Sequence, residues 1–211
     1  MFTCGVPRNL VTFDHLVGLD QAIFGNNSLA PDRARDLFRR RPEIYTAILK
    51  PTGQLVAYSI IYPLKPEWAQ HFIEGSIGES DFTPEMILDR EVSHEGQHFH
   101  IGSVVVDSAS DPIMRSVFLA GLLRWWAYHL DSVISGNATF LMGPVTAGGM
   151  KLVRHVHAIK LSSGENRKDG HDLYGLTTTT AFLHRLSAAI DSFLDRELVQ
   201  LNLDFRAAMQ G

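Results

Sequence analysis

Residues His98 to Val106 read HFHIGSVVV, and residues Asp107 to Leu130 continue as DSASDPIMRSVFLAGLLRWWAYHL. Isoleucine and three consecutive valines suit a pleated, half-buried surface, so the first segment is expected as a strand. Small and turn-forming residues in DSASDP break it. From Ile113 to Leu130 apolar residues nearly surround a helical axis, which predicts a buried helix. A strand followed by a short loop and a buried helix needs a sheet to pack against. A central mixed sheet with helices on both faces answers that need.

The flanking segments extend the pattern. Ile44 to Leu49 and Leu55 to Pro63 are rich in β-branched and aromatic residues. Pro51-Thr52-Gly53 lies between them, and the pair reads as a hairpin. Asp32 to Arg40 reads as a helix, with Pro31 where a first turn tolerates it. Arg39, Arg40 and Arg41 complement the negative end of its dipole. Closer to the N-terminus, Val11 to Phe13 is expected as a short strand and Asp20 to Phe24 as a helical turn. Residues 65–80 are expected as a loop with a short helix near Trp68. Downstream come a strand from Phe140 to Val145, a helix from Ala147 to His155, and strands at Ile159 to Leu161 and Leu173 to Thr177. Thr180 to Leu201 reads as an amphipathic helix. Phe182, Leu186, Ile190 and Phe193 give it an apolar stripe, suited to packing on its own domain or to a homodimer contact.

Composition bounds the function. The chain has 211 residues, 45% hydrophobic and 20% charged, which is an ordinary globular balance. Its 19 basic and 23 acidic residues give a net charge of -4. A strongly cationic nucleic-acid binder shows the reverse, so no nucleic-acid partner is expected. No apolar run reaches the length of a membrane span, so no membrane partner is expected. The opening MFTCGVPRNLVTF lacks the long apolar core of a secretory signal, and a soluble cytoplasmic protein is expected. The single Cys4 excludes an internal disulfide and a four-thiolate zinc site.

His94, Glu95 and His98 spell H-E-x-x-H, a zinc-peptidase signature when it lies on a helix. Gly96 weakens a helix there, and the residues that follow read as a strand. A third ligand would have to be Asp107 or Glu165. No metal site is assigned on this pattern.

The order of elements and three stretches resemble the GCN5-related N-acetyltransferase (GNAT) superfamily over about residues 10 to 178. RPEIYTAILKPTGQLVAYSIIYPL looks like that family's second and third strands. FHIGSVVVDSASDPIMRSVFLAGLLRWW looks like its fourth strand, loop and third helix, and ATFLMGPVTAGGMKLVRHVHAIKL like its fifth strand and fourth helix. The resemblance implies an α/β (α+β) fold with a mixed, mostly antiparallel sheet. It divides the chain into an acyltransferase domain at 1–179 and a C-terminal helical extension at 180–211.

It also implies acetyl-CoA or another acyl-CoA as co-substrate, bound where the fourth and fifth strands splay apart. The acceptor would be a small amine or a protein or peptide amino group. Main-chain groups of Ser103, Val104, Val105 and Val106 would then face the pantetheine arm. The family's phosphate motif falls on the window Arg115 to Ala120. Arg115, Ser116 and Ala120 fit it, whereas Phe118 stands where a close-approach glycine belongs.

Transfer to an amine needs a base, and Glu91, Glu95, His98 and His100 are the candidates. His98 and His100 are two apart on one strand and share a face, and imidazole titrates near neutral pH. Val153 stands where relatives carry a tyrosine acid, leaving Tyr174, His155 or His157 as substitutes. The departures at Phe118 and Val153 motivate an alternative, a catalytically inactive GNAT-fold binding or regulatory protein.

Overall fold

The computed structural model describes residues 2–89, 96–131, 136–200 and 205–207. Among the described residues eight strands form one sheet in the order β6-β7-β5-β4-β3-β2-β1-β8. They are β1 (Phe2–Gly5), β2 (Tyr45–Leu49), β3 (Leu55–Leu64), β4 (Gln97–Val106), β5 (Asn137–Met142), β6 (Ile159–Ser162), β7 (Leu173–Thr179) and β8 (Phe205–Ala207). Only the β4–β5 and β1–β8 pairs are parallel. The helices are α1 (Leu10–Phe24), α2 (Pro31–Arg40), α3 (Pro66–Glu74), α4 (Pro112–Asp131), α5 (Ala147–His155) and α6 (Thr180–Gln200).

The hairpin, the long central strand and the buried helix stand where the sequence predicts them. The segment Val11 to Phe13 does not: it lies inside α1. The Asn9 side chain caps that helix by accepting from Thr12 N at 2.8 Å. Phe13, Leu16, Val17 and Asp20 then bury one helical face. That spacing outweighs the strand preference of a three-residue window. The strands β1 and β8, at one edge of the sheet, have no counterpart in the sequence-based expectations.

Two apolar layers sandwich the sheet. On one face Phe13, Leu16, Leu37 and Phe72 pack on Tyr45, Tyr58 and Tyr62. On the other Val117, Phe118, Trp125 and Trp126 of α4 pack with Phe99, Phe140 and Ile48. The helix α6 joins this second layer through Leu183, Ile190 and Leu194. Trp126 donates its indole N–H to Ser59 Oγ at 2.8 Å, so its buried polar atom is satisfied.

Strand β4 carries the feature that matters for function. Ile61 pairs with Ile101, yet Ile60 pairs with Ser103, so Gly102 is an extra residue. This bulge reverses the facing of everything after it. Phe99 and Ile101 belong to the α4 layer, whereas Ser103 and Val105 turn to the same face as His100.

Phe118 is 1% exposed and meets Phe2 edge-on at 5.1 Å between centroids. It is a core residue, so Phe118→Ala is expected to cost about 3–5 kcal/mol of stability, measured by urea unfolding.

Candidate active site

The β4–β5 ladder ends at Ile101–Met142, while β4 runs on to Val106. Its edge therefore opens onto a cleft of about 510 Å³. Ser103, Val104 and Val106 line one side, and the run from Gly143 to Thr146 lines the other. Gly148 and Gly149 at the start of α5 continue that wall, with Leu152 and Val153 behind them. Thr146 caps α5, its hydroxyl accepting from Gly149 N at 3.0 Å.

The inner end of the cleft is polar and enclosed by rings. His100 is 3% exposed. Phe72, Phe82 and Tyr62 surround its ring at centroid distances of 4.5, 5.7 and 5.9 Å. Its Nδ1 lies 3.2 Å from the Leu141 carbonyl oxygen and its Nε2 2.9 Å from Glu79 Oε2. A carbonyl can only accept, so Nδ1 carries a proton. The second contact then holds one further proton, on the imidazole or on the carboxyl group. Tyr62 donates to the other oxygen of Glu79 at 3.2 Å. Burial and the nearby Glu79 carboxylate hold the Tyr62 hydroxyl well above its ordinary range, so it stays a donor.

Glu79 comes from a 3-10 turn (Glu79–Asp81) and reaches the cleft past Gly102. A Cβ at position 102 would lie 2.7 Å from a Tyr62 ring carbon and 2.9 Å from Glu79 Oε1. The bulge thus needs glycine for a steric reason.

A second carboxyl group lies beneath the strand. Asp20 is 4% exposed. It accepts from Ser103 Oγ at 2.5 Å and from Tyr58 OH at 3.2 Å. Burial is the largest influence on it, outweighing the Ser103 and Tyr58 hydrogen bonds with some help from the Glu79 charge; its pKa rises from 3.8 to about 6.

The sequence-based candidates separate on this geometry. His100 and Ser103 meet in the cleft, and Val104 and Val106 line it, while Val105 packs into the first layer. His98 is half-buried on β4 outside the cleft lining, its Nδ1 without a partner and its pKa lowered by burial. Tyr174 lies on β7, where its hydroxyl meets Asp172 at 3.4 Å, away from the cleft. His155 and His157 are exposed and also stand apart from it. Val153 lines the cleft and offers no acid.

Arg115 and Ser116 are exposed and Ala120 is buried, and none of the three lines the cleft; Leu119 does. Phe118 points into the core and obstructs nothing. Glu91, Glu95 and His94 lie outside the described residues. His98 sits on a strand, so the H-E-x-x-H pattern does not form a helical ligand pair. Among the described residues no group of three metal-ligating side chains occurs, and no helix is long and apolar enough to cross a membrane.

Sequence reasoning missed Asp20 and Tyr62. The resemblance implies an acceptor pocket shaped by the loop from Lys65 to Asp81 and by the hairpin between the last two strands, without singling out Glu79 in the first or Lys168, Asp169 and His171 in the second, all of which line the cleft.

No family model and no curated protein sequence matches the chain. Solved structures do. Ard1 from Thermoplasma volcanium superposes with a TM-score of 0.52 at 9% identity, over 84% of this chain and 97% of its own. NAA60 from Arabidopsis thaliana, in complex with acetyl-CoA, gives 0.52 at 10% identity, over 85% and 99%. The CoA-dependent acyl-homoserine lactone synthase BjaI gives 0.50 at 12% identity, over 100% of this chain and 94% of its own. The chain has the GNAT fold. Within the GNAT fold, its splayed β4–β5 pair and the bulge at Gly102 define the candidate site.

Asp20 makes stability depend on pH. Its folded pKa is raised, so the native state holds a proton that the unfolded chain has lost. That contribution is complete below about pH 4 and is lost as pH rises through 6. The Asp20→Asn variant removes the dependence. Relative to the native protein it should gain about 2–3 kcal/mol between pH 4 and pH 7 in urea unfolding. Parallel curves for the two proteins would exclude a buried, protonated Asp20.

Proposed function

We propose that the protein is an acyl-CoA-dependent N-acyltransferase acting on a small amine. The observation that carries this reading is the Glu79–His100 pair at the inner end of a cleft opened by the early end of the β4–β5 ladder. The cleft suits a pantetheine arm: an unpaired strand edge on one side and small or apolar residues on the other. An acyl thioester supplies an activated carbonyl, so the chain need only bind, orient and move protons.

Glu79 and His100 supply the proton acceptor. The pair holds one shared proton and is neutral overall, whether written as carboxylate with imidazolium or as acid with imidazole. On taking the amine's proton it becomes a carboxylic acid beside an imidazolium, held by Tyr62 and the Leu141 carbonyl. The amine nitrogen forms its bond to the acyl carbon, the carbon–sulfur bond breaks, and the thiolate leaves as thiol after protonation. His171 lies in the cleft lining and is assigned here as the proton donor to the leaving thiolate in place of a tyrosine.

A small acceptor is favoured over a polypeptide because the acceptor end is strapped. Lys168 of the β6–β7 loop pairs with Asp81 at 2.7 and 2.9 Å. The neighbouring Arg167, 6% exposed, donates to the Phe72 carbonyl and pairs with Asp169. Its Cγ sits where a Cβ at Gly75 would come within 2.6 Å. This loop is seated on the end of α3, which this reading takes to cover the side from which an extended peptide would enter. The neighbour aligned over the whole chain, BjaI, has also been solved with SAM and isopentyl-CoA, small-molecule ligands.

The test is product formation from acetyl-CoA and longer acyl-CoAs with a panel of small amines. Glu79→Gln, which keeps the shape and loses the basicity, should lower kcat by about 10²-fold or more with little change in KM for the donor. Full activity in that variant would assign the base elsewhere. No turnover with any donor, with binding retained, would favour the inactive binding protein.

A further inference from the structure

The amides of the first turn of α4, and those of Ala109 and Ser110 in the loop before it, are engaged within the chain. The Asp111 carboxylate accepts from Ile113 N at 2.9 Å and from Met114 N at 3.0 Å. Arg115 N donates to the Asp111 carbonyl at 3.0 Å. Pro112 has no N–H to give. Asp107 Oδ1 accepts from Ala109 N at 2.9 Å, and Ser110 N donates to the Asp107 carbonyl at 3.2 Å. The start of a helix attracts an anion because its first amides lack partners and its dipole favours negative charge. Here both reasons are met by carboxylates of the chain itself. A diphosphate arriving at this loop would meet two negative side chains and no unsatisfied amide in the first turn of α4.

The shape of the cleft agrees. Its lining on β4 stops at Val106, and on α4 it includes Leu119 alone. No residue from 107–118 contributes. The one cation of the expected motif, Arg115, is exposed and outside the lining. Across the cleft, the start of α5 is capped by the neutral Thr146. Along β4 the cleft therefore presents a bare strand edge facing Gly143, Pro144 and Val145.

We infer that this protein recognises its donor as an acylpantetheine thioester, and that Asp107 and Asp111 set this specificity by occupying the place of a diphosphate. The inference rests on the acyl-transfer reading and narrows its donor. Acyl-CoA serves as a substrate through its pantetheine arm, and the nucleotide end adds no affinity. The chemistry is unchanged: the carbon–sulfur bond breaks, the carbon–nitrogen bond forms, the amine's proton passes to the Glu79–His100 pair, and pantetheine leaves as a thiol once protonated.

The experiment compares S-acetylpantetheine with acetyl-CoA as donors to the same amine. The expected result is kcat/KM values within about tenfold of each other. A preference for acetyl-CoA larger than that overturns the inference and leaves the acyltransferase standing. No product from either donor removes the acyltransferase reading and the inference with it. The double variant Asp107→Ser, Asp111→Ser keeps hydroxyl caps on the loop and helix while removing both charges. It should raise the acetyl-CoA to acetylpantetheine ratio by about threefold or more, with acetylpantetheine kinetics unchanged. An unchanged ratio in the folded variant overturns the role given to the two carboxylates.

Discussion

Gly102 is the constraint on which the site depends. One extra residue in β4 turns Ser103 toward Asp20 and leaves the last part of the strand with a partner on one edge only. The extra residue must be glycine, because the Tyr62 ring and the Glu79 carboxylate occupy the space of a side chain there. The same close approach brings Glu79 to His100. An opened strand edge and a buried carboxyl–imidazole pair therefore share one origin, a backbone irregularity flanked by a tyrosine and a carboxylate.

Charge is distributed unevenly along the cleft. Its inner end keeps a carboxyl group, an imidazole and a phenol in mutual contact among Phe72 and Phe82, where hydrogen bonds are strengthened by exclusion of water. The helix start beyond β4 is neutralised from within by Asp111. A carboxylate there does for helix stability what a bound anion does in other helices. On the proposed acyl-transfer reading, this is a site built around the reacting atoms, with recognition of the distant part of the donor given up.

Much of the fold was legible because its central segments obey simple periodicities. The run HFHIGSVVV is a strand by composition, and the helix after it is apolar on nearly every side because two layers, the sheet and α6, cover it. The failures have physical causes. Val11 to Phe13 was read as a strand because three residues cannot reveal a period of 3.6, whereas the Asn9 cap and the row Phe13, Leu16, Val17, Asp20 can. The window Arg115 to Ala120 lies inside α4 and not at its start, since the Asp111 cap starts the helix at Pro112 and puts Phe118 two turns deep.

The site was less legible than the fold. Alternation put His98 and His100 on one face, but it carries no information on which of them meets the cleft. Glu79 sits in a short turn without periodicity, and its role arises from a contact across 21 positions of sequence. Asp20 carries no local signal of its contacts, because its partners, Ser103 and Tyr58, come from two strands far along the chain. A crystal structure with a non-reactive thioether analogue of acetyl-CoA tests the central claim most directly. The account predicts the pantetheine arm lying along β4 from Gly102 to Val106, opposite Gly143 to Val145, with the acyl end at Glu79 and His100. A ladder between β4 and β5 closed as far as Val106, or an arm bound elsewhere on the molecule, would contradict it.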